Sequence, residues 1–338
     1  MTKLCSVIIV NWNGLEHLKR CLPALYAQTV DDFEVIIIDN GSDDGSVEWI
    51  RQHYSEVQLG YNSENRGFAE ANNQGIGLAS SPYIVLLNND TIPSRRWLAA
   101  LLEAAESNNG GASASNVGMV ASQVCFVNAP EILDSAGIEI DALGMAWNRH
   151  LGSPVLGEPH EIEEVFGPSG AAALYRRAML EQIGAFDERY FAYYEDVDLA
   201  WRARRAGWRC LYAPQAQVLH VHSATGGRIP GFKAYRLGLN KWRTLFRHYP
   251  FWRLAGWLPL LLVIDLFAWL RPLVAYRDTA ALRGRVQALR ERREFLRERT
   301  IYSSPAELTD WICRPSLRRL LMQERHTGGV DPGADGVA

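Results

Sequence analysis

The chain is predicted to fold as an α/β protein, a parallel or mostly parallel sheet covered by helices, followed by a helical C-terminal extension. Three observations lead there. Short apolar runs alternate with segments of helical period through the first third. Asn and Asp clusters stand directly after three of those runs, where open α/β sheets collect ligands. After Lys233 the alternation stops and long helical stretches take over.

Taken in order, Ser6 to Val10 reads as a buried strand, and Leu15, Leu18, Leu22 and Leu25 follow at helical spacing with a kink at Pro23. Next come a strand Phe33 to Asp39, a helix Ser46 to Tyr54, a short strand Val57 to Tyr61, a helix Gly67 to Ala79 and a strand Tyr83 to Leu87. Ser107 to Asn116 is rich in Ser, Asn, Gly and Ala and is expected to be a surface loop. Strands are expected around Met119 to Val127, then a polar loop region to about Phe166, then the densest motifs, from Gly167 to Gly227. The C-terminal part is read as helices Tyr235 to Tyr249, an apolar run Leu254 to Leu270 interrupted by Asp265, and an arginine-rich segment Arg283 to Arg299. The expected organisation is a first unit over 1–230, a helical extension over 231–326 and a disordered tail over 327–338.

With 338 residues, 48% of them hydrophobic, the chain can bury a sizeable core. Its 35 Lys and Arg against 38 Asp and Glu give a net charge of −3, so no global basic field points to nucleic acid. Five scattered cysteines without Cys-x-x-Cys spacing suit a reducing cytoplasm, and Met1 to Val10 lacks the pattern of a secretory signal.

The polar residues predicted on one rim are Asn11 and Asn13, Asp39 to Asp44, and Asn88, Asn89 and Asp90. Asp90 can hold a divalent cation against a diphosphate, although a strand-end Asp is also ordinary turn chemistry. Asp39 to Ser46 can hold a ribose and base, or form an Asx turn that caps a helix. Arg66 precedes a helix N-terminus suited to phosphate, or is a solvated arginine beside a turn glycine. Tyr193 to Gly207 reads as a helix that opens with acids and closes with cations. On it Asp198 lies four residues before Arg202, an intrahelical salt bridge, while Asp196 is turned by about 200° to a different neighbourhood. Whether the helix N-terminus or the neighbouring acids decide the pKa of Asp196 is open in the sequence. His220 ends a strand that would put His222 on the same face, as a metal pair or as buried core histidines.

These motifs line up in one order: Ser6 to Gly14, Asp39 to Ser46, Asn65-Arg-Gly-Phe68 with Asn73, Leu87-Asn-Asn-Asp90, Gly170 to Arg177, Gly184 to Glu188, Tyr194 to Leu199, and His220. The set resembles family 2 glycosyltransferases, nearest the bacterial rhamnosyltransferase-like branch, over roughly Val7 to Thr225. The resemblance implies a GT-A fold over 1–230, in which a Rossmann-like nucleotide-binding half is joined to an acceptor-binding half. It implies Asp196 as catalytic base, with Glu195 placing the acceptor. It puts Val10, Asn11, Asn13, Asp39, Asp44, Arg66, Gly67, Asn73, Asn88, Asn89, Asp90 and Gly170 on the nucleotide sugar, and Asp90 and His220 on Mg²⁺ or Mn²⁺. Asn88 stands where many relatives keep the first acid of Asp-x-Asp, and Thr225 where many have serine.

The activity so implied is inverting, metal-dependent transfer of a sugar, rhamnose from dTDP-rhamnose, to a saccharide or polyprenyl-linked acceptor, with a role in cell-envelope polysaccharide synthesis. The Gln-x-x-Arg-Trp signature of processive synthases is missing, so addition of one or few sugars is expected. A sugar nucleotidyltransferase should carry a Gly-rich basic loop after the first strand, and Asn11 to Glu16 is not one. A non-catalytic nucleotide-sugar or glycan-binding scaffold is the other alternative. Residues 251–276 fit either an interfacial segment, with tryptophans and following arginines to meet anionic lipid, or helices packed on the catalytic unit. The expected location is the cytoplasm, peripheral on the inner face of the plasma membrane if the first of these holds.

Overall fold

The structure, a computed structural model, describes residues 2–107, 116–155, 162–221, 229–249, 251–299 and 311–313. The interior of the Ser107 to Asn116 loop, His222, Thr225, most of 300–326 and the 327–338 tail lie outside the described residues.

Four parallel strands carry the N-terminal half: β1 (Cys5–Asn11), β2 (Phe33–Asp39), β3 (Gln58–Tyr61) and β4 (Tyr83–Leu87). Their order is β4-β1-β2-β3. The apolar runs of β1, β2 and β4 are continuous because both faces are buried, whereas β3 is a partly exposed edge strand. Ile8, Ile36, Ile38, Ile84 and Leu86 face one core, while Val7, Ile9, Val35, Ile37 and Val85 face the other. The second core is closed by α1 (Leu15–Tyr26), α2 (Ser46–His53) and α4 (Trp97–Ala105) through Leu18, Leu22, Leu25, Ile50, Trp97 and Leu101. On the opposite side α3 (Gly67–Leu78) is contributed by the third βα unit, and its Gly75 lets the helix close on Ile8, whose side chain lies 2.5 Å from where a Cβ would stand. α1 runs through Pro23 and ends only at Tyr26.

Beyond β4 the sheet departs from the expected parallel pattern. β5 (Thr91–Pro93), β6 (Val117–Phe126), β11 (Ala172–Arg176) and β12 (Arg209–His220) extend it as a mixed sheet in the order β12-β6-β11-β4. β11 is antiparallel to both neighbours. The stretch read as a polar loop to Phe166 instead contains β7 (Ala129–Ser135), β8 (Ile138–Asp141), β9 (Ala146–Asn148) and β10 (Glu163–Glu164). These strands are short and paired to distant partners, which is why their local pattern is weak. A two-residue strand β13 (Ile312–Cys313) adds to β8.

α5 (Arg177–Ile183) and α6 (Glu195–Arg205) pack on the first core, and so does α7 (Phe232–His248), whose Leu239, Trp242, Leu245 and Phe246 are buried there. The apolar run after it is not interrupted. α8 (Phe251–Tyr276) continues through Pro259 and Pro272, and α9 (Ala280–Arg299) follows. The stretch Leu254–Tyr276 is long and apolar enough to cross a membrane, and only 11% of its most apolar window is buried. Its one acid, Asp265, is turned inward, accepting from Lys241 Nζ (3.3 Å), Trp242 Nε1 (2.9 Å) and Arg285 Nε (2.6 Å).

Candidate active site

The carboxyl ends of β1 and β2 are in register, Asn11 beside Asp39, so the two polar clusters that follow meet on one rim. Asn11 Nδ2 reaches Asp39 Oδ2 (3.0 Å), Ser42 Oγ (3.2 Å) and Ser46 Oγ (2.9 Å). Its Oδ1 accepts from Asn89 Nδ2 at 2.8 Å, which ties in the loop after β4. Gly14 makes that approach possible, because a Cβ there would lie 2.1 Å from Asn89 Nδ2. Asn13 donates its N–H to Ser42 Oγ (2.9 Å) and accepts from the Asp43 N–H (2.8 Å). Asp44 accepts from the Leu15 and Ser46 N–H groups (2.8 and 3.1 Å), joining the starts of α1 and α2. Burial works against its charge, yet the Ser46 hydroxyl and these amides hold its carboxyl below the usual range.

Between this loop and β3 lies a cleft of about 630 Å³ lined by Asp39, Ser42, Glu48, Tyr61 and Asn62. Asp39 Oδ1 takes the Ser42 N–H (2.9 Å) and Oδ2 the Asn11 amide, which leaves lone pairs on both oxygens for a further donor. Val10, one residue before the rim, packs on the core.

The Asn65-Arg-Gly-Phe68 segment already has partners within the protein. The first amides of α3 are not open to phosphate, because Phe68 and Ala69 N–H donate to Phe191 O (2.6 and 3.1 Å). Gly67, at φ 86°, lets the Phe191 ring come within 2.6 Å of where a Cβ would stand. Arg66 lies half exposed with its Nη1 in an ion pair with Glu70 (3.0 Å). Asn73, also expected on the nucleotide, is turned to another loop: it donates to Phe186 O (2.8 Å) and accepts from its N–H (3.0 Å).

Asp90 and His220 are separated by 129 intervening residues and brought together by strand pairing. β5 runs antiparallel to β12 with Thr91 opposite His220, and Asp90 Oδ1 lies 3.3 Å from His220 Nε2. The other ring nitrogen, Nδ1, lies 2.7 Å from Asp134 Oδ2 on β7. Burial disfavours the imidazolium, but the two carboxylates outweigh it and push the His220 pKa up to about 10. Burial likewise opposes the charge of Asp90, and His220 together with His17 holds that carboxyl below its ordinary value.

The second acid cluster opens α6. Asp198 is fully buried and accepts from Arg202 Nε (2.8 Å), the intrahelical pair the spacing predicts, and also from Arg247 Nη1 and His248 Nε2 (both 2.7 Å). Asp196 points away from that network. Its Oδ2 accepts from the Gly170 N–H (3.0 Å) and its Oδ1 from the Val197 N–H (2.8 Å). Burial raises its pKa, and the backbone donors offset this only in part. Glu195, buried with Oε2 free of any hydrogen-bond partner, is raised further by burial and by the charges of Asp196 and Asp198. The two acid clusters are joined by one short path: the Asn88 N–H donates to Ala171 O (2.8 Å), and the preceding residue, Gly170, donates to Asp196. Gly170, expected on the sugar nucleotide, is thus a partner of Asp196.

The ordered motifs and this rim agree with a match to Glycosyl transferase family 2 over residues 6–184, more than half of the chain. The chain belongs to that family. It is 32% identical over 276 residues to the N-acetylglucosaminyl-diphospho-decaprenol L-rhamnosyltransferase of Mycobacterium tuberculosis, covering 75% of this chain and 88% of the relative. The fold is GT-A. It is similar to the mannosyltransferase PcManGT from Pyrobaculum calidifontis, solved with GDP-Man and Mn²⁺ (TM-score 0.53, 18% identity, 89% of this chain and 85% of that one). It is also similar to GalNAc-T7 solved with UDP, GalNAc and Mn²⁺ (TM-score 0.57, 15% identity, 88% and 55%).

The donor set of this glycosyltransferase suits a divalent cation held in part by substrate. Among the described residues no group of three or more His, Cys, Asp or Glu side chains converges on one point. Asp90 offers one carboxylate and His220, on giving up its Nε2 proton to an incoming cation, one imidazole nitrogen, while Asp134 orients the ring from behind, as carboxylates do at metal-bound histidines. Mg²⁺ and Mn²⁺ commonly take few protein ligands and complete their shell with phosphate oxygens and water. Sequence reasoning missed Asp134, which sits in the supposed loop region, and, within the Asp39 to Asp44 cluster that it did single out, the part played by Asn40. Asn40 is buried and gathers the Asn62 and Asn65 side chains, the Arg66 N–H and Gly67 O (3.0–3.1 Å). Neither role has a local sequence signal, because each acts only through partners far along the chain.

Proposed function

We propose that this glycosyltransferase moves one sugar, rhamnose from dTDP-rhamnose, to a saccharide or polyprenyl-linked acceptor by a single inverting displacement assisted by Mg²⁺ or Mn²⁺. The observation that carries the reading is the path Asp90–Asn88–Ala171–Gly170–Asp196, which sets a metal-binding carboxylate and a raised-pKa carboxylate on the two sides of one short backbone segment. Asp196, in its ionised form, accepts the proton of the attacking hydroxyl, and the Gly170 and Val197 amides fix its direction. Glu195 stands beside it, buried and with one carboxylate oxygen unpaired, and is the residue we assign to placing the acceptor. Asp39, Ser42 and Tyr61 line the cleft for the base and ribose. Asp90 and His220 would hold the cation, which when bound neutralises charge on the departing nucleoside diphosphate. The rhamnose donor and the lipid-linked acceptor are supported by the likeness to the mycobacterial relative, whose name carries both.

Membrane contact at the cytoplasmic surface fits the outward face of α8, where Trp252, Leu262, Val263, Phe267 and Val274 are half or more exposed while Asp265 is anchored inward. That geometry favours a helix lying along the surface.

The test is a thermal-shift screen of UDP-, dTDP- and GDP-sugars with Mn²⁺, followed by turnover of the donor that binds. Stabilisation by dTDP-rhamnose and loss of turnover in Asp196→Asn are expected. Full activity of a folded Asp196→Asn variant overturns the base assignment. Failure of the full-length protein to float with anionic vesicles overturns the membrane assignment.

A further inference from the structure

The backbone that leads into α6 has a conformation that side-chain-bearing residues avoid. Phe191, Tyr193 and Tyr194 have φ of 63°, 67° and 72°, in the left-handed region, immediately before Glu195 and Asp196. Such backbone persists only where its surroundings hold it. Here the holder is Asn240, fully buried on α7. Its Nδ2 lies 2.9 Å from Tyr190 O, 3.0 Å from Ala192 O and 2.7 Å from Tyr193 O. Its Oδ1 accepts from Arg243 Nη1 (3.1 Å), so the amide has one orientation that satisfies both ends. Arg243 is held in turn by Glu291 on α9 (2.6 and 2.8 Å) and donates to Arg189 O.

The same segment reaches the donor-side rim. Phe191 O caps the first amides of α3, and the Phe191 ring packs on Gly67 and under the Arg236 guanidinium (4.1 Å). One side chain, far along the chain from every motif, thus fixes the turn that connects α3 to the acids of α6.

We propose that Asn240 is a positioning residue for the transfer reaction: with its two amide hydrogens, one of them shared, directed at three carbonyls of the Tyr190–Tyr193 turn, it sets the direction in which α6 presents Asp196. The proposal rests on the reading of Asp196 as the base. Asn240→Asp keeps the shape of the side chain but sets an acceptor against three acceptors. Asn240→Ser keeps a donor and leaves room for water if the first variant fails to fold.

The full-length variants are compared with wild type in three readouts: kcat for the donor found by the screen, binding of the bare nucleoside diphosphate with Mn²⁺, and hydrogen exchange at the Phe68 and Ala69 amides. A folded variant is expected to lose about 10- to 100-fold in kcat, as misplacement of a catalytic group by about 1 Å does. Nucleotide affinity is expected to stay within about twofold, exchange at Phe68 and Ala69 to rise, and the acid limb of the kcat profile to move toward an ordinary carboxylate. Wild-type kcat and an unmoved acid limb in folded variants overturn the proposal. So does a loss of activity that only tracks the unfolded fraction. If Asp196→Asn remains active, the base reading fails. Faster exchange at Phe68 and Ala69 would then still show that Asn240 holds the turn.

Discussion

Replacing Asp198 by asparagine should cost stability rather than chemistry, and the structure sets the size of the effect. The carboxylate is fully buried and meets Arg202 at 2.8 Å and Arg247 and His248 at 2.7 Å. Breaking a buried ion pair from one side costs about 3–5 kcal/mol, because the remaining charge stays buried. Here the cations keep other partners. Arg202 also donates to Ile183, Gly184 and Ala185 carbonyls, and Arg247 retains Asp187 at 2.9 Å and Glu298 at 3.0 Å. The lower end, about 3 kcal/mol, is therefore expected, which at about 2–4 °C per kcal/mol is a fall in Tm of roughly 10 °C. Burial opposes the charge of Asp198, but Arg202, His248 and Arg247 hold its pKa far below the ordinary value. For a depressed carboxylate the stabilisation is fully present above the unfolded pKa of about 4 and disappears as pH falls toward the folded value. Thermal melts of wild type and Asp198→Asn should therefore differ by a constant gap from pH 8 to 5, and the gap should begin to narrow as pH falls below about 4. Asp196→Asn, melted alongside, should stay close to wild type. An Asp198→Asn variant that melts within 2 °C of wild type at pH 7, on the order of 1 kcal/mol, would refute the reasoning.

Three further outcomes follow from the site. Because burial raises the pKa of Asp196 and the base must be ionised, kcat/KM should fall as pH drops through a midpoint above the ordinary aspartate value of about 3.9; an acid limb at or below 4 contradicts this. Asp134→Asn, which disturbs the 2.7 Å contact behind His220, should raise the Mn²⁺ concentration for half-maximal activity by about 10- to 100-fold after chelation, and an unchanged titration would remove Asp134 from the metal's support. Gly14→Ala would push a Cβ to 2.1 Å from Asn89 Nδ2 and break its bond to Asn11, at a cost of about 1 kcal/mol in donor affinity, or roughly fivefold; calorimetry with the nucleoside diphosphate reads it directly.

The N-terminal strands were legible because they are buried on both faces. Val35–Ile38 and Tyr83–Leu87 read as unbroken apolar runs, and the structure ends the strands Phe33–Asp39 and Tyr83–Leu87 at the residues expected. The Asp198–Arg202 pair was legible because helix spacing alone brings the two together. What the sequence could not show depends on pairing between distant segments. Asp134 reaches His220 only because β7 and β12 both flank β6, and β11 slots between β4 and β6 from a stretch with no strand pattern of its own. The α3 N-terminus looked open to phosphate because nothing nearby in sequence announces that Phe191 O will cover it. Asn240 is one asparagine in an amphipathic helix, and its three acceptors lie about 50 positions away.

Asp265 makes α8 inseparable from the fold beneath it. A chain cut before Phe251, the obvious way to make such a protein easier to handle, would strip the carboxylate from Lys241 and from the Trp242 indole N–H and uncover the face of α7 that carries them. The same cut removes Glu291, on which Arg243 depends. The greasy helix is thus a counter-ion for the interior. Trimming it would trade an insoluble surface for an unstable core, whereas replacing Phe267 and Leu262 by polar residues would leave the charges beneath them paired.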